Sequence, residues 1–213
     1  MTVPIAVPIS AGAQITSFDA SDIVTGKVYK RYYACRGTTS DFLTTLQVDT
    51  NTFRTGGAID AGGSFLAIGS EINFDLLFEK TWIVEGKMIV NAPVFIDAFG
   101  GGGGDSRLVV YIYHVSSGGT ETQIGTVTTG THNAAGGVDK SKMFCMDMAI
   151  ARKKFKRNEK LRFALNLEGK GGSGASEAYV YHDPNSKGSL ANDSDANAVE
   201  TIITLDIPFI NAA

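Results

Sequence analysis

No apolar run in this sequence approaches the roughly 18 residues that a membrane-crossing helix requires. Its opening residues, Met1 to Ile9, have no basic group ahead of the apolar stretch, and Pro4 and Pro8 interrupt them. They read as neither a secretory signal nor a transit peptide, so no membrane partner is expected. Cysteine is scarce. Cys35 and Cys145 fit no CxxC or Cys/His metal spacing, and free, buried thiols are expected in a chain made in a reducing compartment. His114, His132 and His182 form no HxH or HxxxH pair, which removes the usual basis for a zinc site. Charged residues are 19% of the chain, against about 25% in ordinary soluble domains. That fits a subunit that buries area against neighbours. The net charge of −3 argues against nucleic acid as the general partner, because such binders are clearly basic.

Glycine, by contrast, is abundant and clustered. Between the clusters, apolar residues recur with a period of two, the signature of half-buried strands. Lys27 to Arg36 is rich in Tyr and Val. Ile72, Phe74, Leu76 and Phe78 share one face, and Thr81 to Ala98 sets Trp82, Val84, Met88 and Val90 against Ile83, Glu85, Lys87 and Ile89. Arg107 to Val115 is nearly all apolar, and Glu121 to Thr129 follows a Ser-Ser-Gly-Gly turn. Leu161, Phe163, Leu165 and Leu167 form another face, and Ile203, Leu205, Ile207 and Phe209 close the chain. Met143 to Phe155 fits a strand, with Phe144, Met146, Met148 and Ile150 on one side. It also fits a helix through Phe144, Met148, Ala151 and Phe155. The absence of a capping box favours the strand. Turns are expected at 54–64, 99–105, 116–119, 134–137, 169–173 and 185–197. The expected fold is all-β, a jelly-roll or β-sandwich of about 8–9 antiparallel strands. It would form a single domain over 26–213, preceded by an extended N-terminal arm over 1–25.

Candidate sites are few. Gly171-Gly172-Ser173-Gly174 falls short of a nucleophile elbow, because the glycine two places after the serine is missing. Gly100–Gly104 leads into Asp105-Ser106-Arg107 rather than the Gly-Lys-Ser/Thr of a phosphate loop. Asp193 and Asp195 have calcium-loop spacing, but Ala198 and Thr204 stand where the glycine and the bidentate glutamate should be. Tyr29, Tyr32, Tyr33, Tyr111 and Tyr113 could form an aromatic platform for a carbohydrate, although alternation also gives them packing roles. The strongest local feature is basic. Arg152, Lys153, Lys154, Lys156, Arg157, Lys160 and Arg162 place seven of the chain's 19 Lys and Arg within eleven positions. A solvated turn and a docking surface for an acidic partner both fit this run, and the partner contact is assigned to Arg152, Lys153, Lys154, Lys156 and Arg157. Phe155 is the sole aromatic there, so base stacking has little to work with.

Three stretches together resemble jelly-roll structural proteins of tailed phages and related archaeal viruses, among them capsid decoration, auxiliary and tail proteins. They are Glu79–Val94 running into Arg107–His114 and the Thr-Glu-Thr-Gln-Ile-Gly hairpin, Lys154–Glu168, and Ala178–Pro184 with Ile203–Phe209. The resemblance spans residues 70–210. It implies a virion structural protein, assembled in the host cytoplasm, with no catalytic residue, no cofactor and no metal. The implied partners are further copies of itself, for example in a trimer, and other virion proteins such as a major capsid protein. A tail, baseplate or fibre position and a carbohydrate-binding β-sandwich are the alternatives. On this reading the chain is not an enzyme.

Overall fold

The computed structural model describes residues 27–35, 40–45, 53–98, 102–134, 137–138, 140–173, 176–182 and 203–210. The expected arm over 1–25, the Asp193/Asp195 loop and residues Asp183 and Pro184 lie outside them. The described residues contain thirteen strands and no helix. In chain order they are β1 Lys27–Cys35, β2 Phe42–Thr44, β3 Phe53–Ala58, β4 Leu66–Ala67, β5 Ile72–Leu77, β6 Trp82–Asp97 and β7 Gly103–Val115. They continue with β8 Glu121–Thr128, β9 His132–Ala134, β10 Lys140–Phe155, β11 Lys160–Ser173, β12 Glu177–His182 and β13 Thr204–Ile210.

The strands make one continuous hydrogen-bonded network that folds over into two layers. In the first, β6 pairs with β10 along one edge and with β13 and β12 along the other; β1 then pairs with β13, and β3 with β12. In the second, β11 lies between β5 and β7, and β8 and β9 both pair with β7. The short β2 links the layers. It is antiparallel to β1 and joins β5 by one parallel bridge, Phe42 to Asp75, so the sheet is mixed rather than purely antiparallel.

The alternating apolar residues meet between the layers. Val84, Met88, Val90, Val94 and Ile96 from β6 and Leu205, Ile207 and Phe209 from β13 face Phe74, Leu108, Val110, Ile112, Leu161, Phe163 and Leu165 in one buried cluster. Stacked sheets close around their inner-facing side chains in this way in any sandwich. Phe78 ties the layers at one end, with ring centroids 4.6 Å from Phe155 and 6.3 Å from Phe209.

The ambiguous segment is the strand β10, and a bulge explains its double pattern. Phe144, Met146, Met148 and Ile150 face the core. Between Ile150 and Lys153 the register against β6 gains one residue, so odd positions point inward from there and Phe155 is fully buried. A strand that changes parity once matches a helical spacing by coincidence.

Two expected turns are strand instead. Arg54–Ser64 reads as a glycine-rich loop, but its first part is β3, paired with β12 from Phe53 to Ala58. Here glycine serves close approach: a Cβ at Gly56 would sit 1.9 Å from the Ala178 carbonyl oxygen. Gly169–Ser173 likewise continues β11, with an irregularity between Lys170 and Ser173. Gly171 and Gly172 donate to the carbonyls of Gly62 and Asp60 at 2.8 and 2.9 Å. Ile59 beside them is closely surrounded by glycine: a Cβ on Gly104, Gly169 or Gly172 would come within 3.1 Å of one of its atoms.

Of the cysteines, Cys35 is buried and Cys145 is exposed on β10; both are free. The expectation of two buried thiols therefore holds for Cys35 and fails for Cys145, whose odd position before the bulge points outward.

A Cβ at Gly172 would lie 2.1 Å from the Ile59 carbonyl oxygen, whereas one at Gly63 would meet nothing within 4 Å. Gly172→Ala is expected to lower stability by about 1–3 kcal/mol, and Gly63→Ala to stay within about 0.5 kcal/mol of the parent. Urea denaturation of the two variants checks the contrast.

Candidate functional site at the basic hairpin

The basic run forms the end of β10, a tight turn and the start of β11. Phe155 anchors it. Its ring is fully buried against Phe78 and, at 5.2 Å, against the His114 ring of the opposite layer. The turn that follows is fixed from several sides. Asn158 adopts a left-handed conformation (φ 66°), which asparagine tolerates better than most residues. Its N–H donates to the Phe78 carbonyl at 2.8 Å, and the Phe78 N–H donates to the Glu159 carbonyl at 3.0 Å. One Glu159 oxygen accepts from the Lys156 N–H at 2.7 Å and contacts His114 Nε2 at 2.9 Å. The Lys156 N–H foremost, and His114 after it, hold the Glu159 carboxyl below the usual carboxylate range.

The seven basic residues then divide. Burial alone would raise the Asp75 carboxyl, but hydrogen bonds from Arg162 and Lys160 outweigh it and leave the group below its usual range. Arg162 clasps Asp75 with Nε and Nη2 at 2.7 and 2.9 Å and reaches Glu121 with Nη1. Lys160 reaches Asp75 at 2.9 Å. These two cations are compensated within the second layer. Arg152 makes a long contact of 3.4 Å to Glu85. Lys153, Lys154, Lys156 and Arg157 make no ion pair among the described residues, and all but the half-buried Lys153 are exposed. The five residues assigned to partner contact lie together at the end of β10 and in the turn, four of them exposed and Lys153 half-buried, while Lys160 and Arg162 are drawn to Asp75.

The other candidates disperse. Tyr32 is buried and tilted against Phe209 at 6.2 Å, whereas Tyr111 and Tyr113 pair with each other at 6.0 Å on β7, in the other layer. No single tyrosine platform forms. His182 ends β12, and its side chain is outside the described residues. Ser106 and His132 face each other in the β7–β9 ladder, both buried. Burial pushes the His132 ring below the ordinary histidine range, its Nε2 contacts the Lys140 carbonyl at 3.2 Å, and the Ser106 hydroxyl has no hydrogen-bond partner. A hydroxyl with no exposure is out of reach of a substrate in this conformation. The residue that sequence reasoning passed over is Trp82. It counts as one apolar position of β6 in the pattern, yet it stands half-exposed at the open end of the sandwich.

Neither a protein-family model nor a curated protein matches the sequence. The fold has solved counterparts. A CocE/NonD family hydrolase from Staphylococcus aureus superimposes with a TM-score of 0.54 at 12% identity, over 94% of this chain and 40% of that one. An aminopeptidase from a marine sediment archaeon, a Thaumarchaeota archaeon, gives 0.52 at 8% identity, over 87% of this chain and 37% of that one. The infectious bursal disease virus Gx strain structure aligns over 100% of this chain and 43% of that one at 13% identity, but with a TM-score of 0.34, which carries no argument. The chain thus spans about two fifths of the length of the hydrolases it resembles. At such identities the likeness is one of fold alone.

These neighbours correct one expectation. The chain was expected not to be an enzyme, and the hydrolases that share its fold overturn that reading. The sandwich occurs in hydrolases, so the absence of a recognisable motif in the sequence does not make it non-catalytic.

Asp75→Asn removes the charge that Arg162 and Lys160 share. It is expected to cost on the order of 1–3 kcal/mol at neutral pH, the range for hydrogen bonds to charged groups. Because the folded-state pKa of Asp75 lies below its unfolded value, its contribution is complete above the unfolded pKa and is lost as pH falls through the folded one. The parent and variant stabilities are therefore expected to converge in acid. Urea midpoints at neutral and acid pH check this.

Proposed function

We propose that the chain is a structural protein of a virion, a capsid decoration or auxiliary subunit that works by contact with neighbouring proteins. The carrying observation is the basic rim. Lys153, Lys154, Lys156 and Arg157 make no ion pair among the described residues and, with Arg152 and its long contact to Glu85, form a cationic edge on a turn held by Glu159, in a chain whose net charge is −3. A cationic edge on a turn whose backbone is already held suits docking on an acidic protein surface, because little backbone freedom is lost on contact. Further copies of this acidic chain offer one such surface, which favours a homo-oligomer, and a major capsid protein offers another. The virion setting is supported by the jelly-roll sandwich and by the resemblance of residues 70–210 to phage structural proteins. A tail, baseplate or fibre position belongs to the same reading.

The test is charge reversal on the rim. Lys154→Glu with Lys156→Glu and Arg157→Glu is expected to leave the fold intact and to reduce co-sedimentation with particles of the parent virus by at least tenfold. Raising the salt concentration should weaken attachment of the parent protein in the same sense. Unchanged attachment of the triple variant would sink the proposal. Immunogold labelling of particles distinguishes capsid from tail.

One observation favours a second reading. The overlays with a TM-score above 0.5 cover most of this chain but under half of each hydrolase, as would an accessory sandwich of a larger enzyme. Assay of the whole gene product against nitrophenyl esters and aminoacyl nitroanilides tests it, and turnover that co-purifies with the protein supports it.

A further inference from the structure

The end of the sandwich beside the basic hairpin is open. Along β1, Val28 and Lys30 have the same facing as Tyr32 and Ala34, which enter the core. Yet Val28 and Lys30 are exposed. Among the described residues, β2 pairs with β1 only from Tyr33 to Cys35 and bridges β5 at one residue. Beside the exposed half of β1 is a groove of about 490 Å³, bounded by Lys30, Leu77, Phe78, Glu79, Lys80 and Trp82.

Its chemistry is specific. Trp82 packs edge-on against Phe209 at 5.2 Å and leaves part of its indole at the groove. The Lys30 ammonium stands 4.8 Å from the centre of that ring and the Lys80 ammonium 4.9 Å. Neither makes an ion pair among the described residues. The Glu79 carboxylate lines the same groove, also without an ion pair, and Leu77 is 53% exposed on the rim. Two ammoniums against one carboxylate leave the mouth net positive, and the basic hairpin adjoins it through the Phe78–Phe155 contact.

We infer that this groove binds a sugar that carries a carboxylate, a uronic-acid or sialic-acid residue. A pyranose has one apolar C–H face, a ring of hydroxyls and, in these sugars, one negative group. The indole and Leu77 suit the apolar face, and the volume lies within the range of small-ligand sites. Lys30 and Lys80 supply donors and charge for the carboxylate. Glu79 accepts from sugar hydroxyls, a contact that an apolar acid would leave unused. A cation held over an exposed ring is bound weakly, so the ligand's carboxylate can draw an ammonium aside and free the indole face. This inference does not depend on the virion reading.

The chain has one tryptophan, so its fluorescence reports on this groove and nowhere else. The protein is titrated with trigalacturonate and sialyllactose, and in parallel with methyl-esterified trigalacturonate and lactose. The acidic sugars are expected to give a saturable change in emission, weakened by salt, with at least tenfold tighter binding than their neutral counterparts. Lys30→Met with Lys80→Met is expected to abolish that preference while far-ultraviolet circular dichroism stays unchanged. No saturable response to either acidic sugar, equal binding of acidic and neutral sugars, or undiminished acidic binding by the double variant would each overturn the inference. Should the double variant not fold, the acidic-against-neutral comparison on the parent protein decides alone.

Discussion

The sandwich depends on β6 being paired along both edges. Its 16 residues run antiparallel to β10 on one side, while β13 and β12 share the other. A strand in that position cannot slip by one residue without turning Val84, Met88, Val90, Val94 and Ile96 out of the core and breaking three ladders together. Register in the first layer is therefore set once, in β6, and passed outward. β11 has the same role in the second layer, between β5 and β7. The layers need only a short connection, and β2 supplies it with three residues.

The candidate functional features gather at one end of this order. Among the described residues β2 pairs with only three residues of β1, and the bulge in β10 rotates its last residues just before the hairpin. The end that results carries the buried aromatic contact of Phe78 with Phe155 inside and a cationic rim outside. Lys160 and Arg162 follow a few residues along the chain from that rim, but they pair with Asp75 and Glu121. Position on a strand, more than identity as Lys or Arg, decides which of the seven cations remains available.

Much of the fold was legible because half-burial writes itself as alternation. β1, β5, β6, β7, β8, β10, β11 and β13 all lie where period-two patterns placed strands, and the patterns of Leu161 to Leu167 and Ile203 to Phe209 name core side chains correctly. The missed strands have different causes. β2, β4 and β9 have two or three residues, too few to show a period; the glycines of β3 read as a turn although they permit close contact with β12; and β12 itself was read only as part of the resemblance. The basic rim was visible as composition, but its division was not, because Asp75 lies 85 positions from Lys160 and 87 from Arg162 in sequence. The tyrosines of the supposed platform fell on different layers, which no local pattern reveals. Trp82 was hidden for the opposite reason: it obeys the alternation, yet it stands half-exposed.

The crowding around Ile59 bears on how this protein can change over time. Its neighbours Gly104, Gly169 and Gly172 come from two separate strands, and no side chain larger than hydrogen fits at any of the three without displacing atoms around that isoleucine. An exchange at Gly172 meets the Ile59 backbone and no change of side chain can relieve it, whereas one at Gly104 meets the end of the Ile59 side chain and becomes possible once position 59 carries a smaller residue. The outward-facing rim of β10 has no such constraint. Homologous chains should therefore differ freely in the charges they present and hardly at all in this knot of glycines.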